Sequence, residues 1–192
     1  MGGFVAIEGL DGVGKSTLVR QLAEMFSGHA MSTPGPALRG ARPAVLEAFA
    51  HDELAKALFY TASVSSEGRK ALSLAELGKW VFMDRYWAST LAYAKARGVK
   101  TDLDALSKSL IQPDMTVLLL LDESERLRRL HIRGATSEDM ETLDLYFRQC
   151  VLDELQARAS LVIDISGLAE ADASAKLSSA IKDYLILNHH LG

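Results

Sequence analysis

The sequence predicts an α/β fold in which a five-stranded parallel sheet is flanked on both sides by helices. Two observations lead to this prediction. Five short apolar runs alternate with segments of helical periodicity, which is the pattern of a parallel sheet covered on both faces. A glycine-rich loop also joins the first apolar run to the first helical segment, and such strand–loop–helix units begin one common class of α/β sandwich.

The five apolar runs are predicted to be strands because each is too short to form a helix with a buried stripe. They are Phe4–Ile7, a weaker run near Ala30–Ser32, Trp80–Met83, Thr116–Leu121 and Leu161–Ile165. None of these runs is long enough to cross a bilayer.

Helical periodicity is clearest in the second half of the chain. One helix is predicted over Met140–Arg158, with Cys150 as a buried, unreactive thiol, and another near Leu177–Leu185. A further helix is expected to start near Thr101. The segment Ser32–Pro43 contains three of the four prolines and is therefore predicted to be a loop.

Length and charge limit the possible functions. Residues 1–192 are predicted to form a single domain with a small lid, because this length suffices for one full core. The net charge of −4 argues against a nucleic-acid or membrane partner. The chain passes directly from Met1 into the first strand without room for a signal peptide, so a cytoplasmic location is predicted.

Gly9, four further residues and Gly14-Lys15-Ser16 form a complete phosphate-binding loop. Glycines let several backbone N–H groups point at one anion, and the following helix adds its positive end. Lys15 can reach the β- and γ-phosphates of a nucleoside triphosphate, and the Ser16 hydroxyl can bind Mg²⁺. The sequence therefore predicts the three-layer sandwich of the P-loop NTPases, with a triphosphate held by Gly9, Gly12, Val13, Gly14, Lys15, Ser16 and Thr17.

Asp84 and Arg85 follow the third apolar run. An acid at this edge of a sheet can order Mg²⁺, and an arginine beside it can bind a phosphate through two parallel hydrogen bonds. Ser16 and Asp84 are therefore the candidate magnesium ligands. The alternative interpretation is a simple salt bridge at the end of a strand.

Four arginines, Arg126, Arg128, Arg129 and Arg133, lie close together and precede Gly134. Arginines that close on a transferring phosphoryl group stabilise its negative charge. Residues 126–141 are therefore predicted to form a mobile lid. A solvated basic helix face is the alternative.

The fourth apolar run ends in Asp122 and Glu123, an arrangement in which many ATPases present a water-activating acidic pair. This pattern leaves open an ATPase, or another nucleotide-binding module that is not a kinase. The other interpretation is that Asp122 caps the following helix.

Together these motifs resemble the thymidylate kinases, a branch of the P-loop nucleoside monophosphate kinases, over most of the chain. Residues 4–17 are similar to the phosphate loop of that family, and Asp84–Tyr93 is similar to its Asp-Arg-Tyr motif. Gln112–Thr116 fits the stretch before its fourth strand, and Arg129 with Arg133-Gly134 fits the start of its lid. The resemblance implies a sheet of order 2-3-1-4-5.

The resemblance further implies an ATP- and Mg²⁺-dependent phosphotransferase that converts dTMP to dTDP and forms a homodimer. Carried over by position, Arg85 contacts the acceptor's phosphate and Phe59 its base. The implied acceptor-binding residues are Asp11, Phe59, Arg85, Thr90 and Tyr93, and the implied catalytic residues are Lys15, Arg85, Asp11, Arg129 and Arg133.

The chain departs from the family at positions where arginines are expected. Ser63 replaces an arginine that helps to read thymine, Ser32 replaces a phosphate-binding arginine, and Asp139 replaces a lid arginine. Arg39 or Arg42 could replace the arginine that is lost at Ser32. These departures leave open a kinase of the same fold that acts on another pyrimidine nucleotide, a modified nucleotide or a nucleoside.

Overall fold

The structure, a computed structural model, describes residues 2–189. The strands are β1 Gly3–Glu8, β2 His29–Ser32, β3 Trp80–Asp84, β4 Met115–Leu120 and β5 Leu161–Asp164. The helices are α1 Lys15–Met25, α2 Pro36–Arg39, α3 Arg42–Ala48, α4 Glu53–Glu76, α5 Trp87–Ala96, α6 Glu123–Arg133, α7 Ser137–Glu141, α8 Leu145–Arg158 and α9 Glu170–His189, with a 3₁₀ helix at Asp104–Ser109.

The five strands form one parallel sheet in the order β2-β3-β1-β4-β5, which confirms the predicted fold class. β1 lies at the centre, and all of its residues are buried. Ile7 of β1 pairs with Asp84 of β3, and Asp84 pairs in turn with Ser32 of β2. The carboxyl ends of these three strands therefore meet at one edge of the sheet.

Two clusters of buried side chains cover the two faces of the sheet. Val5 and Ile7 of β1 belong to one cluster, together with apolar residues of α1, α8 and α9. Phe4 and Ala6 belong to the other cluster, together with residues of α4. Because successive side chains of a strand point to opposite faces, the central strand joins both helical layers, and the predicted three-layer arrangement is present.

A break between α7 and α8 corrects the prediction of one helix over Met140–Arg158. α8 starts directly after Asp144, whose side chain accepts a hydrogen bond from the Phe147 N–H at 2.8 Å and caps the helix. Tyr146 is consequently 80% exposed instead of lying in an apolar stripe. Cys150 is half-buried, not buried as predicted.

The proline-rich segment Ser32–Pro43 is not the predicted loop throughout, because it contains one helix and the start of another. Pro36 is the first residue of α2, and Pro43 lies in the first turn of α3, where a helix has no partner for the missing N–H. The helix expected near Thr101 is the 3₁₀ helix, which starts at Asp104. Within residues 2–189, no helix combines the length and the apolar composition that a membrane span requires.

Candidate active site

A large cavity lies where the carboxyl ends of β1, β2 and β3 meet, the usual ligand position in a parallel α/β sheet. Its volume is about 1310 Å³, above the roughly 300–1,000 Å³ of most ligand pockets. We call residues 9–17 with Asp84 the loop side of the cavity. Arg85 with α2, α4 and α5 forms the helix side. The volume is large enough for two ligands.

The phosphate loop has the backbone conformation that its glycines permit. Gly12 and Gly14 have φ angles of 90° and 100°, a region that other residues rarely adopt. A Cβ atom at Gly12 would lie 3.0 Å from Leu130 of α6, so α6 packs closely against the loop. α1 begins without a side-chain cap, which leaves its first N–H groups available to an anion.

Not every predicted loop residue faces the cavity. Gly12, Gly14, Lys15, Ser16 and Thr17 line it. Val13 is only 2% exposed and packs in the core, and the buried Gly9 lies close to Leu119 of β4. Gly9 and Val13 therefore support the loop from behind.

Lys15 lies at the centre of the loop with its ammonium group directed inward. Its Nζ atom donates a hydrogen bond to the Leu10 carbonyl at 2.7 Å. Burial, and after it the positive charge of Arg85, lowers the pKa of Lys15 to about 8. A buried ammonium group of this kind gains strongly from an incoming phosphate.

Ser16 and Asp84, the two candidate magnesium ligands, are in contact. The Ser16 hydroxyl donates a hydrogen bond to Asp84 Oδ2. The other carboxylate oxygen, Oδ1, is buried and has no hydrogen-bond partner in the part of the chain that the structure describes. A hydroxyl and an unsatisfied carboxylate oxygen fit Mg²⁺, which binds oxygen ligands and retains several waters.

Arg85 of the helix side has an uncommon backbone conformation. Its φ angle is 63°, which costs a residue other than glycine about 1–3 kcal/mol. Its N–H donates to the Ile7 carbonyl at 3.0 Å, and its own carbonyl accepts from the Thr33 hydroxyl at 2.9 Å. These bonds to β1 and to the segment after β2 hold the strained backbone in place.

The guanidinium group of Arg85 contacts three side chains of the cavity. It pairs with Asp11 at 2.8 Å, donates to the Ser89 hydroxyl at 2.8 Å and lies 5.2 Å from the centre of the Tyr93 ring. Burial alone would raise the pKa of Asp11, but Arg85 and Lys15 outweigh it and hold that pKa well below its usual range. Thr90, another predicted acceptor residue, is buried and also lines the cavity.

Glu8 is a supporting residue that was not among the predicted site residues. This fully buried carboxylate accepts hydrogen bonds from the N–H groups of Tyr86 and Ser89, at 2.9 and 3.2 Å, and from the Ser89 hydroxyl. Burial raises the pKa of Glu8. Because Ser89 also accepts from Arg85, Glu8 fixes that arginine indirectly. A charged residue at the end of a fully buried strand was the available signal.

On the helix side, α4 presents Tyr60 to the cavity. The predicted base-binding residue, Phe59, packs beside Tyr60 with the two ring centres 5.3 Å apart, and only Tyr60 of this pair lines the cavity. Ser63, which stands at the family's arginine position, is fully buried, and its hydroxyl has no hydrogen-bond partner among the described residues. Glu67, one turn further along α4, pairs with Lys70 at 2.6 Å, and both line the cavity.

The four arginines of α6 have different environments. Arg129 donates to the Val13 carbonyl at 3.3 Å and lines the cavity, whereas Arg128 is exposed and pairs with Glu125. Arg126 is 1% exposed and pairs with Glu123 through two hydrogen bonds. The cluster is therefore neither a uniform lid surface nor a uniform solvated face.

Arg133, the last of these arginines, pairs with Asp139 at 2.7 Å and lines the cavity. Asp139 also forms a capping box with Thr136 at the start of α7. The acid that replaces the family's lid arginine therefore holds Arg133 and caps α7.

The acidic pair after β4 does not act as a water-activating pair in this structure. Asp122 caps α6 by accepting a hydrogen bond from the Glu125 N–H at 3.1 Å, as the alternative interpretation predicts. Glu123 pairs with Arg126 and with Arg148. Neither acid lines the cavity, so the main sequence argument for an ATPase is lost.

Comparisons with known proteins agree with this geometry. The thymidylate kinase family model matches residues 7–172. The probable thymidylate kinase of Thermococcus gammatolerans is 34% identical over 165 residues, which cover 77% of this chain and 79% of that protein. The thymidylate kinase of Cereibacter sphaeroides is 33% identical over 210 residues, 96% of each chain.

Among solved structures, the thymidylate kinase of Candida albicans superposes with a TM-score of 0.77 at 22% identity. The match covers 95% of this chain and 92% of that one, which supports the fold. The phosphate loop, the Asp84–Arg85 pair beside it and the match over residues 7–172 lead to one assignment. The chain belongs to the thymidylate kinase family.

Proposed function

We propose that this protein is an ATP-dependent thymidylate kinase that transfers the γ-phosphoryl group of ATP to dTMP and releases ADP and dTDP. The observation that carries the proposal is that the phosphate loop and Arg85 line the same cavity. Arg85 pairs with Asp11 of the loop at 2.8 Å. A phosphoryl donor bound to the loop and an acceptor phosphate bound to Arg85 would lie in one space. Direct in-line transfer needs that proximity and no covalent enzyme intermediate.

The loop side would bind ATP. The N–H groups of the loop and of the first turn of α1 would surround the phosphates, and Lys15 would neutralise their charge. Arg129 lies within reach of the loop, at 3.3 Å from the Val13 carbonyl. Its charge, together with that of Arg133, would stabilise the phosphoryl group during transfer.

Mg²⁺ would be held by the Ser16 hydroxyl and, directly or through water, by Asp84. When bound, the ion supplies positive charge to the phosphate oxygens. Asp84 Oδ1, which has no hydrogen-bond partner in the described structure, would then contact the ion or accept a hydrogen bond from one of its waters.

The helix side would bind the acceptor nucleotide. Arg85 would contact its phosphate, and Tyr93, with Asp11 from the loop side, its sugar. Thr90 and Tyr60 would complete the site, with Phe59 packed beside Tyr60. Residues 126–141 would act as a lid that excludes water during transfer and so suppresses ATP hydrolysis. We also propose a homodimer, and the cytoplasmic location predicted from the sequence stays a prediction.

A second candidate is a kinase of this fold with a different acceptor. The observation that favours it is Ser63, which is fully buried and supplies no guanidinium group to a base. A purified sample should be tested for ADP release from MgATP with dTMP, dUMP, UMP, CMP, dCMP, AMP, GMP and thymidine.

Strong stimulation by dTMP alone is the expected result. Stimulation mainly by another acceptor would favour the second candidate. ATP turnover that depends on no acceptor would overturn the kinase assignment.

A further inference from the structure

Arg39 is an exposed arginine of α2 whose side chain turns back to the end of β2. Its Nη2 atom donates a hydrogen bond to the Ser32 hydroxyl at 2.7 Å. The Ser32 hydroxyl in turn donates to the Pro34 carbonyl at 3.2 Å, so its oxygen is free to accept from Arg39. This arrangement fixes the guanidinium group at the carboxyl end of β2.

The end of β2 is adjacent to the end of β3 in the sheet. Ser32 pairs in register with Asp84, and Arg85 follows Asp84 directly. Ser32, Arg39 and Arg85 all line the cavity. Two guanidinium groups, carried by different segments, therefore reach the same edge of the sheet.

Arg39 differs from the neighbouring cations in its partners. Arg85 pairs with Asp11, Arg129 with Glu125, and Arg133 with Asp139. The bond to the Ser32 hydroxyl involves a neutral group, and no carboxylate among the side chains that the structure describes pairs with Arg39. Its charge is therefore available to an anion, whereas the charge of Arg85 is already offset.

A phosphate dianion between these elements needs more positive charge than an arginine paired with an aspartate supplies. We propose that Arg39 is a second ligand of the acceptor's phosphate, which it approaches from the β2 side while Arg85 binds from the β3 side. This inference rests on the proposed kinase function. It makes Arg39 a substrate-binding residue.

The test is the Arg39→Ala variant in steady-state kinetics with MgATP and dTMP. Loss of one guanidinium–phosphate contact should raise the KM for dTMP about 10- to 100-fold. The KM for ATP should stay near that of the wild type. Because Arg39 is exposed, the variant should fold, as circular dichroism can verify.

Arg69→Ala is the matched control. Arg69 is also exposed, and its guanidinium group also donates to a serine hydroxyl, that of Ser65 at 3.4 Å, but it does not line the cavity. The two variants remove the same charge. Only Arg39→Ala should change the kinetics.

Calorimetric titration separates a phosphate contact from a general loss of the site. Arg39→Ala should weaken the binding of dTMP but leave the binding of thymidine, which has no phosphate, unchanged. A Ser32→Arg/Arg39→Ala double variant should recover part of the dTMP affinity, because it returns a guanidinium group to the same strand end.

An unchanged KM for dTMP, an equal loss for dTMP and thymidine, or no recovery in the double variant would overturn the role of Arg39. A wild-type protein that shows no dTMP-dependent ADP release would instead refute the proposed function. The two failures are therefore distinguishable.

Discussion

The loop side and the helix side of the cavity differ in how their chemical groups are held in place. The loop side is one continuous segment, residues 9–17, whose backbone itself binds phosphate, joined by Asp84. The helix side collects side chains from α2, α4, α5 and Arg85, which come from distant parts of the sequence. All departures from the family that involve the acceptor, Ser32 and Ser63, lie on the helix side or next to it. Phosphate binding by backbone N–H groups depends on the conformation of the whole loop. Acceptor binding by separate side chains can change through single substitutions.

The largest effect is expected on the loop side, from Lys15→Ala. Because Lys15 is the buried cation at the centre of the loop, its loss should lower kcat at least about 10²–10³-fold. Lys100→Ala, which removes an exposed charge far from the loop in sequence, is the control. Retention of substantial activity by a folded Lys15→Ala protein would refute the assignment of the loop.

A somewhat smaller effect, confined to one substrate, is expected from Arg85→Ala on the helix side. Loss of the guanidinium group should lower kcat/KM for dTMP about 100-fold, with little change in the KM for ATP. Arg128→Ala removes an exposed arginine of α6 and should change neither value. If Arg85→Ala weakened ATP and dTMP equally, the division into two sides would be wrong.

The affinity for ATP should depend on pH through Lys15. The pKa of Lys15 is lowered to about 8 by burial and by Arg85, so the ammonium form is lost as the pH rises through that value. Above pH 8 the Kd for ATP should increase by up to about tenfold per pH unit. Titrations between pH 7.5 and 9.5 can measure this slope. In a Lys15→Arg variant, which stays charged, the Kd for ATP should not change over this pH range. A Kd that still rises with pH would mean that a group other than Lys15 titrates.

The smallest effect is expected from Asp122→Ala, outside both sides of the cavity. Loss of this helix cap should lower the Tm by about 2–4 °C, measured by differential scanning calorimetry, and leave kcat unchanged. A collapse of activity without loss of folding would mean that the acidic pair after β4 takes part in the chemistry after all.

Features that depend on consecutive residues could be predicted from the sequence. The five strands and the phosphate loop are examples, because apolar runs and glycine spacing are local signals. Features that depend on which face of a helix points toward the cavity could not be predicted from the sequence. Nothing local indicates that α4 turns Tyr60, and not Phe59, toward the cavity, since packing against the sheet sets the rotation of the helix.

The same limit explains the other surprises. Glu8 supports Arg85 through Ser89, a contact across 81 positions of sequence. The break at Asp144 depends on one side-chain cap that outweighs helical periodicity. In the cluster on α6, four similar arginines acquire different roles only because the helix buries Arg126 and exposes Arg128.

Arg126 also limits how the segment around α7 can move. Its Nη1 atom donates to the Asp11 carbonyl and to the Thr142 hydroxyl, both at 3.1 Å. The Thr142 end of the segment between Gly134 and Thr142 is therefore tied, through Arg126, to the phosphate loop. A short segment that is tied at one end has less conformational entropy to lose on ordering than a free chain of the same length. The lid that we propose for residues 126–141 would therefore close by a small movement.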